Sequence, residues 1–205
     1  MLYLSTISPS TLELLNQLLK IDEFSGLRLA GGTALALQIG HRKSIDLDFF
    51  GEVNFTDLNG QNIFKGFKSV ESLKVSKNIN IFEINDVKVD FVNYSYPWLT
   101  DPIILDGIRM AQMEDIAAMK LAAITGRGTR KDFIDLYFLL RKFTLEDIFQ
   151  YYQQKYADAS PYLVLKSLVY FDDAENDISV NMIENISWEE VKSKISNEVI
   201  DFINK

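Results

Sequence analysis

Apolar and polar positions recur along this chain with two different periods, and the change from one to the other falls near residue 113. At the start, Leu12, Leu14, Leu15, Leu18, Leu19 and Ile21 stand at helical spacing, so 9–21 is predicted to be helical. Ser8 or Ser10 suits the cap and Pro9 the first turn. Residues 26–30 read as a strand, 33–39 as a short helix ended near Gly40, and 44–50 as a second strand. Thr56 and Asp57 suit the cap of a helix through Phe67. SVESLKV, NINIFEI and VKVDFVNY then alternate like strands, the last two joined by a tight Asn85–Asp86 turn. Pro97 ends this portion, and ILDGIRM reads as a short hairpin turning at Asp106–Gly107. From Met113 the period becomes helical: 113–125, 129–142, 144–157, 160–170 and 187–204, the last opened by a Ser187/Glu190 capping box. The acidic run 171–181 reads as a loop.

Strands first and helices afterwards predict an α+β fold: a mixed β-sheet with flanking helices, followed by a C-terminal helical bundle. The expected domains are 1–112 and 113–205. A chain of 205 residues with 47% hydrophobic and 24% charged positions can bury an ordinary globular core. There are no cysteines, which excludes a disulfide framework and a thiolate metal site. The segment MLYLSTISPS lacks the charged and apolar regions of a secretory signal, and no apolar run approaches the ~20 residues that span a bilayer. A cytoplasmic location without membrane contact is expected. The net charge is −8, but residues 143–205 hold 12 acids and 5 bases (net −7) while 1–142 hold 17 and 16 (net −1). That balance excludes a general polyanion-binding surface and leaves room only for a local nucleic-acid patch. Lys65, Lys68, Lys74 and Lys77 read as a solvated face.

The chemistry concentrates in Leu29 to Phe50, LAGGTALALQIGHRKSIDLDFF. Residues i and i+2 of a strand leave the same face, so Asp46 and Asp48 point together among Ile45, Leu47, Phe49 and Phe50. Two such carboxylates repel unless a proton or a cation sits between them. Hard oxygen ligands favour Mg²⁺ (or Mn²⁺). Thirteen to fifteen residues before Asp46, Gly31 and Gly32 let backbone approach a ligand, and Thr33 opens a helix whose first N–H groups can receive phosphate. Together these features describe a metal-assisted phosphoryl or nucleotidyl transfer site. Asp90 is read as sharing a face with Val87, Val89 and Phe91, opposite Lys88 and Val92, a costly setting for a carboxylate unless it is paired or metal-bound. His41 follows the end of a helix, where the dipole favours a cation. Tyr94, Tyr96 and Trp98 suit either base stacking or core packing, the latter being the commoner use. Further on, Lys120 and Arg127 share a helix face, Gly126 and Gly128 break that helix, and Asp132 and Asp135 share the next one. By themselves the two acids fit a helix N-terminus favoured by its dipole.

The run from Gly31-Gly32-Thr33 to Asp46-Leu47-Asp48 resembles the first motif of the nucleotidyltransferase superfamily. GGTALAL followed by HRKSIDLDFF resembles its AbiEii/AbiGii-type toxin branch in particular. The segment MKLAAITGRGTRKDFIDLYFLL is similar to that branch's Lys-x6-Arg…Arg-Asp-x2-Asp-Leu pattern, with Lys131 where arginine is usual. The resemblance implies Asp46, Asp48 and Asp90 as metal ligands, with Asp90 activating the acceptor hydroxyl as a base. It implies Gly31, Gly32, Thr33 and Arg42 at the nucleotide's phosphates, joined by Arg127, Arg130 and Asp132. Lys120 would hold the triphosphate as a mobile point charge, with Asp135 positioning it or the nucleotide. The implied activity is transfer of NMP from an NTP to an RNA 3′ end, tRNA foremost, by a toxin with a separately encoded antitoxin. Two other readings share the glycine turn and acids: a small-molecule nucleotidyltransferase such as one acting on aminoglycosides, and a non-catalytic nucleotide-binding protein.

Overall fold

A computed structural model describes residues 1–53, 63–177 and 180–205. The chain forms two compact units: Met1–Ser95 with Pro102–Ala111, and Tyr96–Asp101 with Gln112–Lys205. The predicted hairpin after Pro97 thus belongs to the first unit, and the residues just before it group with the helices.

In the first unit, α1 (Pro9–Leu18) begins where the Ser8 side chain accepts the Thr11 N–H and Pro9 sets the first turn. It buries Leu14, Leu15 and Leu18. β1 (Arg28–Leu29) leads through Ala30 into α2 (Gly31–Ile39), which stops at Gly40 in the left-handed conformation. The remaining strands are β2 (Leu47–Gly51), β3 (Val70–Lys74), β4 (Ile79–Ile84), β5 (Val87–Asn93), β6 (Ile103–Leu105) and β7 (Ile108–Met110). They form one mixed sheet in the order β3-β4-β5-β2-β1-β7-β6, with β2/β5 and β1/β7 parallel. Asn85 and Asp86 both take positive φ (50° and 64°), as the two-residue turn between β4 and β5 requires. Asp106–Gly107 turns β6 into β7 in the same way. Of the helix expected over 56–67, residues 56–62 lie outside the described residues, and 63–66 form turns.

Alternation divides the central strands into two faces. Leu47 pairs with Val89 and Phe49 with Phe91, all fully buried, and the two phenyl rings stack at 5.5 Å. Phe24, Phe64 and Phe82 close over Phe91. Burying one such side chain contributes roughly 1.5–3 kcal/mol. With one face committed to that core, Asp48 and Asp90 are fixed on the other, in register with each other.

The second unit holds α3 (Met113–Gly126), α4 (Arg130–Leu139), α5 (Leu145–Lys155), α6 (Pro161–Leu168), the single turn α7 (Asp172–Glu175) and α8 (Trp188–Ile203). Thr144/Asp147 and Ser187/Glu190 form capping boxes at α5 and α8, and Ser160 with Pro161 starts α6. α7 corrects the expectation of a loop over 171–181. Ala174 is fully buried there, and the Arg130 guanidinium donates to the carbonyls of Ala174 and Glu175. Among the described residues no helix is long and apolar enough to cross a membrane.

Candidate active site

Local geometry joins the glycine turn to the acids. Helix α2 starts at Gly31, so Thr33 is its third residue rather than its first as expected. The N–H groups of Gly31 to Thr33 lead the helix, and the first carbonyl acceptor, Ala30 O, takes the Ala34 N–H at 3.4 Å. Gly31 has φ +64°, and a Cβ there would stand 2.5 Å from Asp48 Oδ2. Only glycine lets the turn lie against that carboxylate. Ala30 N–H also donates to Asp48 O at 2.9 Å, and the Thr33 hydroxyl donates to Ser44 Oγ and to Asp46 O. The Asp48 carboxylate therefore sits at a helix N-terminus, where the dipole favours negative charge. Thr33 itself is buried and serves as the tie between α2 and the acid-bearing segment.

Asp46, Asp48 and Asp90 are all half-buried, and Asp48 stands directly beside Asp90 on the neighbouring parallel strand. The face expected for Asp90 is corrected. Val87, Val89 and Phe91 are buried on the core side, while Lys88, Asp90 and Val92 share the other. The physical reason is the period of two along a strand. Lys88 Nζ lies 2.8 Å from both Asp90 oxygens. Only Oδ2 receives the N–H in hydrogen-bonding geometry, which leaves the buried Oδ1 without a donor. Desolvation opposes the Lys88 ammonium, but the hydrogen bond to Asp90 and the charges of Asp90, Asp48 and Asp46 outweigh it and raise its pKa. Sequence reasoning missed Lys88, although its two-residue spacing from Asp90 signalled a shared face.

Among the described residues no three carboxylates or imidazoles are gathered tightly enough to enclose a metal ion by themselves. Two neighbouring carboxylates with phosphate or water oxygens completing the shell is nevertheless an ordinary arrangement for Mg²⁺. The Asp48–Asp90 pair fits that arrangement. A buried oxygen lacks a donor, and a lysine ammonium stands in for the cation.

The other expected residues fall into different settings. Arg42 is buried, and its Nη1 donates to the Lys43 carbonyl at 2.9 Å. In the second unit, Lys120 is buried and held between Asp132 (2.9 Å) and Asp135 (2.5 Å), both fully buried. Arg127, with its side chain 57% exposed, grips Asp132 through Nε and Nη2, and the Thr129 hydroxyl adds a third donor at 2.6 Å. Burial pushes the Asp132 carboxyl up, but Lys120, Arg127 and Thr129 pull it well below the usual carboxylate range. Arg130 spans α4, α7 and α8, with its guanidinium 5.0 Å over the Trp188 ring. In the first unit Tyr94 packs edge-on to Phe50; in the second, Tyr96 packs on Tyr156 and Trp98 lies under the Lys155 ammonium. Sequence reasoning also missed a second buried pair, Lys155 and Asp115 at 2.6 Å. It is completed by the Pro97 carbonyl, the Leu99 and Thr100 N–H groups and the Thr100 hydroxyl. Forty residues separate those partners, and no local pattern announces them.

A protein of Aquifex aeolicus is 36% identical over 199 residues, covering 93% of this chain and 95% of its own. The MenT4 nucleotidyltransferase toxin of Mycobacterium tuberculosis has a similar fold, with a TM-score of 0.63 at 16% identity over 92% of this chain and 83% of that one. The antibiotic-resistance factor ANT(2″)-Ia shares the fold at a TM-score of 0.56 and 17% identity, over 78% of this chain and 97% of its own. The model of the family described as nucleotidyl transferase AbiEii toxin, type IV toxin–antitoxin system, matches residues 13–102 and 73–200. With glycine turn and paired aspartates placed as above, the chain belongs to the AbiEii nucleotidyl transferase toxin family.

Proposed function

We propose that this protein transfers a nucleoside monophosphate from an NTP to the 3′ end of an RNA, tRNA foremost, in the cytoplasm, as the toxin of a pair with a separate antitoxin. The observation that carries the reading is the contact of Gly31 with Asp48 beside Asp90. It sets the N–H groups leading α2, which suit phosphate, against the two carboxylates that suit a cation. Asp48 and Asp90, with Asp46 adjacent, would hold Mg²⁺ or Mn²⁺. Such an ion neutralises the triphosphate when bound. Asp90 takes the proton of the attacking hydroxyl, and the Gly31–Thr33 backbone orients the phosphates. The nucleotide roles of Lys120, Asp135, Arg127, Arg130 and Asp132 belong to the same proposal. Any phosphate reaching Lys120 must share it with the two aspartates that hold it. A phosphate meeting Arg42 would have to share it with the Lys43 carbonyl.

The fold shared with ANT(2″)-Ia motivates a second reading, a small-molecule hydroxyl as acceptor. Labelled NTPs offered with total tRNA or with aminoglycosides separate the two. Label on RNA supports the first reading, label on the small molecule the second, and binding without transfer supports neither. Sequencing RNA 3′ ends after induction identifies the acceptor and the nucleotide added.

A further inference from the structure

One cation at this site has no part in the function proposed above. Lys88 lies two residues before Asp90 on β5, on the sheet face that also carries Asp48. Its ammonium stands 2.8 Å from each Asp90 oxygen and feels the charges of Asp48 and Asp46. It therefore does electrostatically what a divalent cation would do there: it offsets the repulsion among three carboxylates. It meets Oδ1 as an ion pair only and donates a hydrogen bond to Oδ2 alone. Its side chain is 41% exposed on a flexible four-carbon stem, so the ammonium can swing into water without unfolding anything.

We propose that Lys88 is the resident counter-cation of Asp90 and Asp48, and that a divalent cation enters by exchange with it. The proposal rests on the reading of these acids as a cation site. In the free chain the lysine keeps the acids compatible with one another. On exchange its charge becomes surplus beside the entering ion and turns to the anion that accompanies it. Binding of a bare metal then works against the ion pair it must displace, so the apparent affinity is weaker than the carboxylates alone would give.

Mn²⁺ titration of the full chain, read from the electron paramagnetic resonance of free Mn²⁺, tests this on wild type, Lys88→Met, Lys88→Arg and Asp48→Asn. Removing the competing charge at this partly exposed position should tighten Mn²⁺ binding about tenfold, Lys88→Arg should stay near wild type, and Asp48→Asn should bind most weakly. If wild type binds Mn²⁺ and Lys88→Met binds it no more tightly, the exchange is overturned while the cation site stands. If Lys88→Met folds and neither it nor wild type binds the ion, the cation site falls, and the exchange with it. Wild type alone also decides. After reductive ¹³C-methylation, the Lys88 resonance should move toward those of exposed lysines as Mg²⁺ saturates, and a stationary resonance at saturation overturns the proposal.

Discussion

Two groups of opposite charges in this chain differ in how deeply they are buried. In the second unit, Asp115 and Lys155 are fully buried; Asp115 also accepts from Leu99 and Thr100, and Lys155 also donates to the Pro97 carbonyl. Asp132 likewise receives donors from Lys120, Arg127 and Thr129. In the first unit, Asp48 and Asp90 stand in register and half-buried, with the partly exposed Lys88 ammonium 2.8 Å from both Asp90 oxygens. The fully buried Asp115–Lys155 pair cannot accept anything without breaking, whereas the half-buried Asp48 and Asp90 face water and can take a ligand. Charge content alone does not separate the two groups; depth of burial does.

The largest effect that sharpens this contrast is on activity. Asp48→Asn and Asp90→Asn should each lower nucleotidyl transfer by roughly 10³-fold, because a charge-stabilising group is lost at the reacting phosphate. The melting temperature of Asp48→Asn should stay level or rise, since like-charge repulsion is relieved; a collapse would make the acids structural. In the second unit the opposite is expected. Asp115→Ala leaves a buried ammonium uncompensated and should destabilise the chain by about 3–5 kcal/mol in urea unfolding. Removing both charges, as Asp115→Leu with Lys155→Met, should recover only part of that, because the Leu99 and Thr100 N–H groups and the Pro97 carbonyl lose their partners.

Acid tests Asp132. Its folded pKa is depressed, so the stability it contributes is fully present above the ordinary carboxylate value near 4 and is lost as pH falls through the folded one. Melting temperatures followed from pH 7 to 2 should fall for wild type in that acid window. Asp132→Asn, already lower at pH 7, should fall less steeply. Near the small end, Ser187→Ala removes one half of the α8 capping box and should cost about 1 kcal/mol. The surface pair Arg141–Glu184, despite a near-ideal 2.8 Å contact, should be worth under about 1 kcal/mol and less in high salt, as Glu184→Gln would show.

Much of the architecture was legible because it rests on local rules. Ser8-Pro9, Ser187/Glu190, Asn85–Asp86 and Asp106–Gly107 each mark a boundary by stereochemistry, and each boundary appears in the fold. Asp48 and its glycine turn were legible as a motif, but their direct contact was not, since it depends on the left-handed conformation of Gly31. Arg130 shows the opposite limit. Its guanidinium donates to carbonyls more than forty residues away, contacts that no local pattern announces. Asp115 and Lys155 were invisible for the same reason, since tertiary pairing over that distance leaves no periodic trace. Lys88 was legible and misread, by a slip of one position in the strand alternation.

That one-position slip shows what the Asn85–Asp86 bend controls. The bend is the ruler against which β5 is measured out from β4, and through β5 it decides which side chain stands beside Asp48. Inserting a single residue there would offer Val89 or Phe91 in place of a carboxylate, and would turn Lys88 and Asp90 into the phenylalanine core. The placing of Asp90 beside Asp48 is thus held by two residues with positive φ that bear no part in the carboxylate pair themselves.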